Sequence, residues 1–232
     1  MQTPGRLPAG GGAFLYITSW RQRDRIVDFI IIKTKMPFQI GGKAVADGGA
    51  GWFMTEKTSN IKVTVMSDAT EEVAELLNIW ENDPETAPFI RPFSSEKDLQ
   101  KKRVVTVDSL KRRLESHEEY LIHMDDRLIG QLSVQIDPGH LAKKVKGTAW
   151  IGIYIGEKEY RRMGAGTYAL THVENILRKR RIRRIELGVF EYNKEAYRLY
   201  ERLGFKEFVR LDEFAWWKGG MWRDIRMEKY LD

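Results

Sequence analysis

Between a predicted strand and a predicted helix, the chain reads Arg161-Arg162-Met163-Gly164-Ala165-Gly166-Thr167. Residues 147–155 before this stretch are apolar in the manner of a buried strand, and the apolar side chains of residues 162–181 recur at helical spacing. A helix N-terminus presents unpaired backbone N–H groups and the positive end of the helix dipole, and glycines let a phosphate approach the backbone. The stretch therefore predicts a pyrophosphate site, although glycines at such a position can also form a plain tight turn.

Periodic segments extend on both sides of this stretch, and their order predicts an α+β fold. Capping residues precede the first helix, Asn82-Asp83-Pro84 ends it, and a proline-marked loop follows. The order of the elements is βααβββαβαββ. The predicted strands cover residues 61–65, 120–124, 128–136, 147–155, 185–189, 205–217 and 221–230, and the predicted helices run from about 70 to 82, 106 to 117, 164 to 181 and 193 to 203. The last two strands are predicted to be joined at Gly219-Gly220.

A second motif lies on the last short helix and just after it. The chain reads Asn-x-x-Ala-x-x-Leu-Tyr-x-x-x-Gly-Phe from Asn193 to Phe205. Asn193 can cap the helix N-terminus, and Gly204 can take the left-handed conformation that ends a helix. Tyr200 falls within this helix, where it is either a packed core side chain or a proton donor at the rim of a site.

The two motifs, in this order and with one strand between them, resemble those of the GCN5-related N-acetyltransferase (GNAT) family. The resemblance covers residues from about 60 to 230. It implies that family's α+β fold, in which a central mixed, mostly antiparallel sheet is splayed between its fourth and fifth strands and flanked by helices. It also implies an N-acetyltransferase that uses acetyl-CoA as co-substrate.

The resemblance assigns a role to each motif. Backbone N–H groups of the loop would hold the pyrophosphate of acetyl-CoA, the splayed strand would pair with the pantetheine arm, and Asn193 would lie by the cofactor thiol or simply cap its helix. Tyr200 matches the family's tyrosine that protonates the departing thiolate, and a phenol with a reference pKa of about 10 stays protonated at neutral pH. The predicted catalytic residue is Tyr200, and the predicted cofactor-binding residues are Ile153, Tyr154, Ile155, Arg161, Arg162, Met163, Gly164, Ala165, Gly166, Thr167 and Asn193.

The general base is missing from the expected place. Many relatives carry a glutamate on the strand before the pyrophosphate loop, but residues 148–153 contain no carboxylate. A water chain or a carboxylate from elsewhere would then relay the proton, and Glu157 and Glu159 fit solvated loop positions better. This gap keeps open the alternative of a non-catalytic module that binds acetyl-CoA without turnover.

The leading hypothesis is direct attack of a primary amine on acetyl-CoA in a ternary complex, the amine belonging to a small molecule, a polyamine or a peptide. The resemblance implies acceptor contacts in residues 82–91 and in the hairpin 214–221. Trp216, Trp217 and Trp222 could wall a cleft there or pack as core. The acidic residues that could attract a cationic amine are Asp83, Glu85, Asp212 and Glu213.

Composition narrows the remaining classes of protein and of functional site. Hydrophobic residues make up 42% and charged residues 31% of the 232 residues, which suits a globular protein. The absence of cysteine excludes thiolate nucleophiles, and the four histidines show no metal-ligand spacing, so no metal is expected. No apolar run approaches the ~20 residues of a membrane-spanning helix, so we expect no membrane association and a cytoplasmic location.

The net charge of +6 favours an anionic partner. Residues 178–184 carry much of this charge, and such a run is more typical of a solvated face than of a nucleic-acid site, so nucleic acid is not the expected partner. A homodimer is left open.

Residues 1–53 differ from the rest because glycine pairs and a glycine triplet interrupt their short apolar segments. We interpret them as an N-terminal extension of unknown role, either flexible or a small partner-binding element. One version takes Met54 as the natural initiator, with the upstream part not native. The acetyltransferase-like domain then spans residues 54–232.

Overall fold

The computed structural model describes residues 60–231 in full and, before them, the backbone of four strands. These strands form an antiparallel sheet in chain order. They are β1 (Leu7–Ala9), β2 (Ala13–Gln22), β3 (Arg25–Thr34) and β4 (Gly51–Ser59). Backbone contacts divide the chain into Met1–Ile61 and Lys62–Asp232. The glycine runs at 10–12, 41–42 and 48–49 lie outside the described residues, and the domain boundary at residue 53 stays a prediction.

The remaining elements follow the predicted order, with two additional short helices between the first and second predicted helices. The strands are β5 (Ile61–Val65), β6 (Glu118–Met124), β7 (Arg127–Ile136), β8 (Thr148–Ile155), β9 (Arg184–Phe190), β10 (Lys206–Trp217) and β11 (Gly220–Tyr230). The helices are α1 (Glu71–Asn82), α2 (Ala87–Ile90), α3 (Glu96–Leu99), α4 (Val107–Leu114), α5 (Ala165–Lys179) and α6 (Lys194–Arg202).

Two local predictions were wrong. The proline-marked region holds the short helix α2, because proline is favourable in a first helical turn, where its missing N–H costs no hydrogen bond. The last hairpin turns at Lys218-Gly219, where both residues have positive φ, and Gly220 already begins β11.

The second sheet has the strand order β10-β11-β9-β8-β7-β6-β5. Strands β8 and β9, its fourth and fifth strands in chain order, run parallel, and they pair only from Thr148–Trp150 against Arg184–Glu186. Beyond Trp150, β8 stays paired with β7 but leaves β9. Backbone N–H and C=O groups on this side of β8 therefore face a gap, as the predicted splay requires, and the predicted fold class is confirmed.

Local caps explain where the helices that frame the gap begin and end. Thr70 accepts a hydrogen bond from the Val73 N–H at the start of α1. At the end of α6, Gly204 has φ of 88°, and the Phe205 N–H donates to the Tyr200 carbonyl at 3.0 Å. This left-handed ending was predicted from the Gly204-Phe205 pair.

Helix α1 is fixed against the end of β8 by Trp80. A Cβ on Gly156 would lie only 2.0 Å from the Trp80 ring, so only glycine allows this contact. The Trp80 Nε1–H also donates to Glu157 at 2.9 Å, which gives Glu157 a structural partner. This anchoring holds the last turn of α1, and with it Glu81, beside the gap.

Candidate active site

A cavity of about 420 Å³ lies where β8 and β9 diverge. Its lining comes from the splayed halves of both strands, from α6, from β11 and from the segment that follows α2. The lining includes Ile153, Tyr154, Asn193 and Tyr200 among the predicted site residues. The fold therefore brings together side chains that two separate motifs supply.

Tyr200 is 6% exposed and lies in α6 with its ring against Phe205, at 6.0 Å between ring centroids. Its hydroxyl has no hydrogen-bond partner within the described part of the chain, and the residue borders the cavity. Burial raises the pKa of Tyr200 to about 12. A protonated hydroxyl that no protein group occupies can act as a proton donor to a ligand in the cavity.

Asn193 combines the two roles considered for it. Its side chain accepts a hydrogen bond from the Ala196 N–H at 3.2 Å, so it caps α6, and the residue also lines the cavity. Elsewhere in the lining, the Tyr154 hydroxyl donates to Gln131 at 3.0 Å, and burial raises the Tyr154 pKa well above its ordinary value. Tyr154 is therefore held as a neutral wall of the cavity.

The loop before α5 has the backbone geometry of an anion site. Gly164 is the N-cap with φ of 87°, a conformation that favours glycine, and Arg162 is also left-handed at 63°. The first hydrogen bond of α5 runs from the Tyr168 N–H to the Gly164 carbonyl at 3.0 Å. The N–H groups of residues 165–167 precede it and have no helical acceptor. A Cβ on Gly166 would touch only Leu199 of α6, at 3.5 Å.

Arg161 differs from the rest of this loop because its side chain is used within the protein. Its Nε donates to the Ile155 carbonyl at 3.0 Å, and its Nη2 donates to Thr86 at 2.7 Å. The guanidinium thus ties the end of β8 to the segment before α2. The geometry gives Arg161 a positioning role, while the free backbone groups lie in residues 162–167.

The acidic residues expected to attract an amine lie elsewhere. Asp83 and Glu85 both form ion pairs with Lys158, at 2.9 and 3.1 Å. Asp212 pairs with Arg223 and its side chain is 77% exposed. These three residues are engaged at the surface and do not belong to the cavity lining.

Two of the three tryptophans of the last hairpin, Trp217 and Trp222, pack around Tyr192. The Trp217 and Trp222 rings lie 6.0 and 5.8 Å from the Tyr192 ring, and Phe89 contacts both Tyr192 and Trp217. Phe89 in turn lines the cavity. Trp217 and Trp222 therefore pack as core and at the same time support one wall of the cavity, which combines the two alternatives considered for them.

Two buried carboxylates of the cavity were missed by the sequence analysis. Glu81 is 3% exposed and forms ion pairs with Arg103 and Arg113, both at 3.4 Å. Arg113 also donates to Glu119 at 2.9 Å. Glu81 stands at the polar end of an otherwise ordinary amphipathic helix, so no local pattern distinguishes it from a solvated glutamate.

The other missed carboxylate is Asp224 of β11, also 3% exposed. Both of its oxygens lie 2.9 Å from the place where a Cβ on Gly188 would stand, and Trp150 lies 3.1 Å from the same place. The carboxylate thus occupies the space of a missing side chain at the point where β8 and β9 separate. Burial raises the Asp224 pKa, against the opposing effect of Arg226.

The basic run at residues 178–184 is only partly a solvated face. Arg178 pairs with Glu174, and Arg180 with Glu118 across the fold. Arg184 is fully buried and bonds Glu186 at 2.5 Å and Glu228 at 2.7 Å. The expectation of a solvated run was wrong for Arg184, because strand β9 carries this residue into the sheet interior.

In the described part of the chain, every helix is too short or too polar to cross a membrane.

Comparison with known proteins points to one family. The family model described as "Acetyltransferase (GNAT) family" matches residues 74–205. The uncharacterized N-acetyltransferase YycN of Bacillus subtilis is 32% identical over 115 residues, which are 47% of this chain and 69% of YycN.

Solved structures are similar in fold. The protein yncA from Salmonella typhimurium, solved with its cofactor acetyl-CoA, matches with a TM-score of 0.57 at 17% identity, over 74% of this chain and 94% of yncA. A spermidine N-acetyltransferase from Vibrio cholerae, in complex with CoA and spermine, matches with a TM-score of 0.57 at 16% identity, over 73% of this chain and 95% of that one.

Proposed function

The chain belongs to the acetyltransferase (GNAT) family and is an acetyl-CoA-dependent acyltransferase, and on this premise we propose that it acetylates a primary amine by direct attack in a ternary complex. The observation that carries the proposal is the convergence of Asn193, Tyr200 and the unpaired edge of β8 on one cavity. A cofactor thioester and an acceptor can meet in that cavity without a covalent enzyme intermediate, and the chain has no cysteine to form one.

In this proposal, backbone groups hold most of acetyl-CoA. The N–H groups of residues 162–167 bind the pyrophosphate at the start of α5, where the helix dipole favours negative charge. The pantetheine arm lies in the gap and pairs with the backbone of β8 at residues 153–155, in the way that an added strand extends a sheet. Asn193 lies near the thioester.

Tyr200 is the general acid. The amine nitrogen forms a bond to the acetyl carbon, the C–S bond breaks, and the departing sulfur takes the Tyr200 proton. The raised pKa keeps Tyr200 protonated at neutral pH. Burial makes the Tyr200 phenol a weaker acid, but it also makes the desolvated thiolate a stronger base. The proton can therefore still pass from Tyr200 to the sulfur.

Release of CoA thiol by the full chain tests this proposal. The acceptor panel contains simple amines, polyamines, amino acids and peptides, and mass spectrometry follows the products. We expect CoA release that depends on a primary amine and yields one N-acetyl product per thiol. Acetyl-CoA binding with no amine-dependent release across the panel would overturn the proposal in favour of a ligand-only module. The cytoplasmic location and a homodimer stay predictions.

A further inference from the structure

One end of the cavity carries more positive than negative charge. Arg91, Arg103 and Arg113 line it together with Glu81. Arg113 also pairs with the fully buried Glu119, so three guanidinium groups face two carboxylates in this cluster. One positive charge is left over at this end of the cavity, and a charge without a partner is costly wherever it is shielded from water.

The surplus charge belongs to Arg91. No described carboxylate forms an ion pair with it, and the nearby Asp98 is paired with Lys101. Its Nε is buried without a hydrogen-bond partner in the described part of the chain, and its Nη2 makes only a long contact of 3.4 Å with the Lys101 carbonyl. The guanidinium is held over the Phe93 ring at 4.6 Å. Arg91 is thus a positioned, partly buried donor with available N–H groups at the cavity wall.

The cavity lining also includes a buried carboxylate that can meet an ammonium group. Asp224 occupies the space left by Gly188 at the start of the splay. Its one close cationic partner among the described residues is Arg226, with Nε 2.5 Å from Oδ2. That Nε lacks a hydrogen-bonding angle to any described acceptor, and the guanidinium instead lies over Trp150 at 4.6 Å. Asp224 therefore keeps acceptor capacity for a donor in the cavity.

We propose that the acceptor is a small amine that also carries an anionic group such as a carboxylate, with its ammonium group at Asp224 and its anionic group at Arg91. This inference rests on the proposed function and narrows its acceptor class. A guanidinium binds a carboxylate through two parallel N–H donors, which suits a small acceptor held at both ends. A polyamine fits this cavity poorly because it would bring further positive charge next to Arg91.

The same arrangement supplies the proton path that residues 148–153 lack. Asp224 takes a proton from the ammonium group, and the neutral nitrogen bonds to the acetyl carbon as the C–S bond breaks. The second nitrogen proton released on amide formation leaves to solvent, and the thiolate takes its proton from Tyr200. Afterwards Asp224 loses one proton to solvent and Tyr200 regains one, so both groups return to their starting states.

Matched acceptor pairs test the anionic group. Each amino acid of a panel is compared with its own carboxamide, and spermidine is added as the polyamine, with kcat/KM expressed for the free-base amine. We expect the wild type to prefer the carboxylate by about tenfold or more, the usual scale for a hydrogen bond to a charged group. Arg91→Gln should reduce this preference to near parity by raising KM for the carboxylate alone. Arg91→Lys, which keeps the charge, should recover part of the preference.

Asp224→Asn tests the amine end. It should lower kcat by about 10²-fold for both members of a pair and remove the acidic limb of the kcat profile, with unchanged acetyl-CoA affinity. Gly188→Ala keeps the carboxylate but displaces it, so it should also lower kcat. Asp212→Asn removes an exposed carboxylate of the adjacent strand and should have no effect.

The outcomes distinguish failure of this inference from failure of the proposed function. Equal or better use of carboxamides or spermidine by the wild type overturns the inference while leaving the acetyltransferase intact, and so does an unchanged preference in a folded Arg91→Gln variant. Full kcat with the acidic limb retained in Asp224→Asn overturns the amine assignment. No CoA release with any amine overturns the proposed function, and this inference falls with it.

Discussion

The proposed cofactor side and the proposed acceptor side of the site are built in different ways. On the proposed cofactor side, the groups available to a ligand are mainly backbone groups of two short segments, the loop before α5 and the free edge of β8. On the acceptor side, they are side chains from separate elements, with Glu81 on α1, Arg91 after α2 and Asp224 on β11. A site made of backbone needs a local conformation, whereas a site made of side chains needs the whole fold.

The difference sets what a substitution can do. On the proposed cofactor side, most side chains should tolerate change as long as φ and the approach of the ligand are preserved, and Tyr200 is the exception because its hydroxyl is proposed to take part in the chemistry. On the acceptor side, each side chain has its own partner, so single changes should alter specificity and leave cofactor binding intact.

The largest expected effect is that of Tyr200→Phe. The ring packing against Phe205 is kept and no hydrogen bond to a described residue is lost, so the melting temperature should change little. Loss of the proton donor should lower kcat by about 10²-fold or more. Steady-state kinetics and calorimetry with acetyl-CoA measure the two quantities separately. The matched control is Tyr197→Phe on the same helix, whose hydroxyl bonds Glu207 instead, and its kcat should stay near that of the wild type.

The raised pKa of Tyr200 predicts how kcat depends on pH. A general acid must be protonated, and with a pKa of about 12 this phenol stays so well above neutral pH. The wild-type kcat should therefore show no alkaline decline from Tyr200 between about pH 6 and 9. A Phe variant with full kcat across this range would refute the assignment and would make the cofactor side a matter of backbone alone.

Gly164→Asp should have the next largest effect. The substitution puts a side chain on a residue with φ of 87° and a negative charge where the pyrophosphate is proposed to bind. Two like charges about 4 Å apart repel each other by roughly 1 to 2 kcal/mol in largely solvated surroundings. The acetyl-CoA Kd should therefore rise about tenfold or more.

Gly219→Asp is the control for backbone strain. Gly219 has φ of 85° and open space around it, so the aspartate there carries the same conformational cost away from the loop. Calorimetry should find an unchanged Kd for this variant. Equal affinities of the two folded variants and the wild type would remove the pyrophosphate assignment.

The contrast between the two sides also explains how far the sequence could be interpreted. Gly204 was predicted to take the left-handed conformation that ends a helix, and it has positive φ, because glycine at a helix end is a local signal. Asp224 and Gly188 carry no such signal. Their relation exists only because β11 pairs with β9, with Asp224 opposite Phe190, and no spacing in the chain encodes that register.

Arg184 shows that the burial of a charged residue is also not encoded locally. In the sequence it ends a basic run, and such runs usually lie at the surface. Burial became evident only with its partners, Glu186 on the same strand and Glu228 on β11. A buried arginine needs carboxylates that the fold brings together, so composition could not distinguish it from Arg183.

Arg161→Met should have a smaller effect, and mainly on stability. The variant loses hydrogen bonds to the Ile155 carbonyl and to Thr86, which should lower the free energy of unfolding by about 1 to 3 kcal/mol. If the pyrophosphate is held by backbone groups, the acetyl-CoA Kd should change by less than about threefold. Denaturant unfolding and calorimetry provide the two values.

Arg162→Met serves as the neighbouring control, since the Arg162 side chain is exposed and its ion pair with Glu195 is long at 3.9 Å. Its stability should stay within about 0.5 kcal/mol of the wild type. A large loss of cofactor affinity in Arg161→Met with unchanged stability would show that the guanidinium binds the cofactor directly.

The smallest expected effect concerns the N-terminal part of the chain, for which we propose that residues 1–53 are an extension and that residues 54–232 form the catalytic domain. All residues that line the cavity fall between Glu81 and Arg226, and the seven-stranded sheet begins at Ile61. A chain that starts at Met54 should therefore melt cooperatively and keep kcat/KM within about twofold of the full chain.

A chain that starts at Asn60 tests the boundary further, because strand β4 runs from Gly51 to Ser59 and the first cut leaves part of it behind. If the shorter chain is active and the Met54 chain aggregates, the remnant of β4 is the cause, since a strand without its partners exposes an edge that can pair with other chains. If both chains lose their cooperative melt, residues before 54 contribute to the core of the catalytic unit, and the proposed division of the chain is wrong.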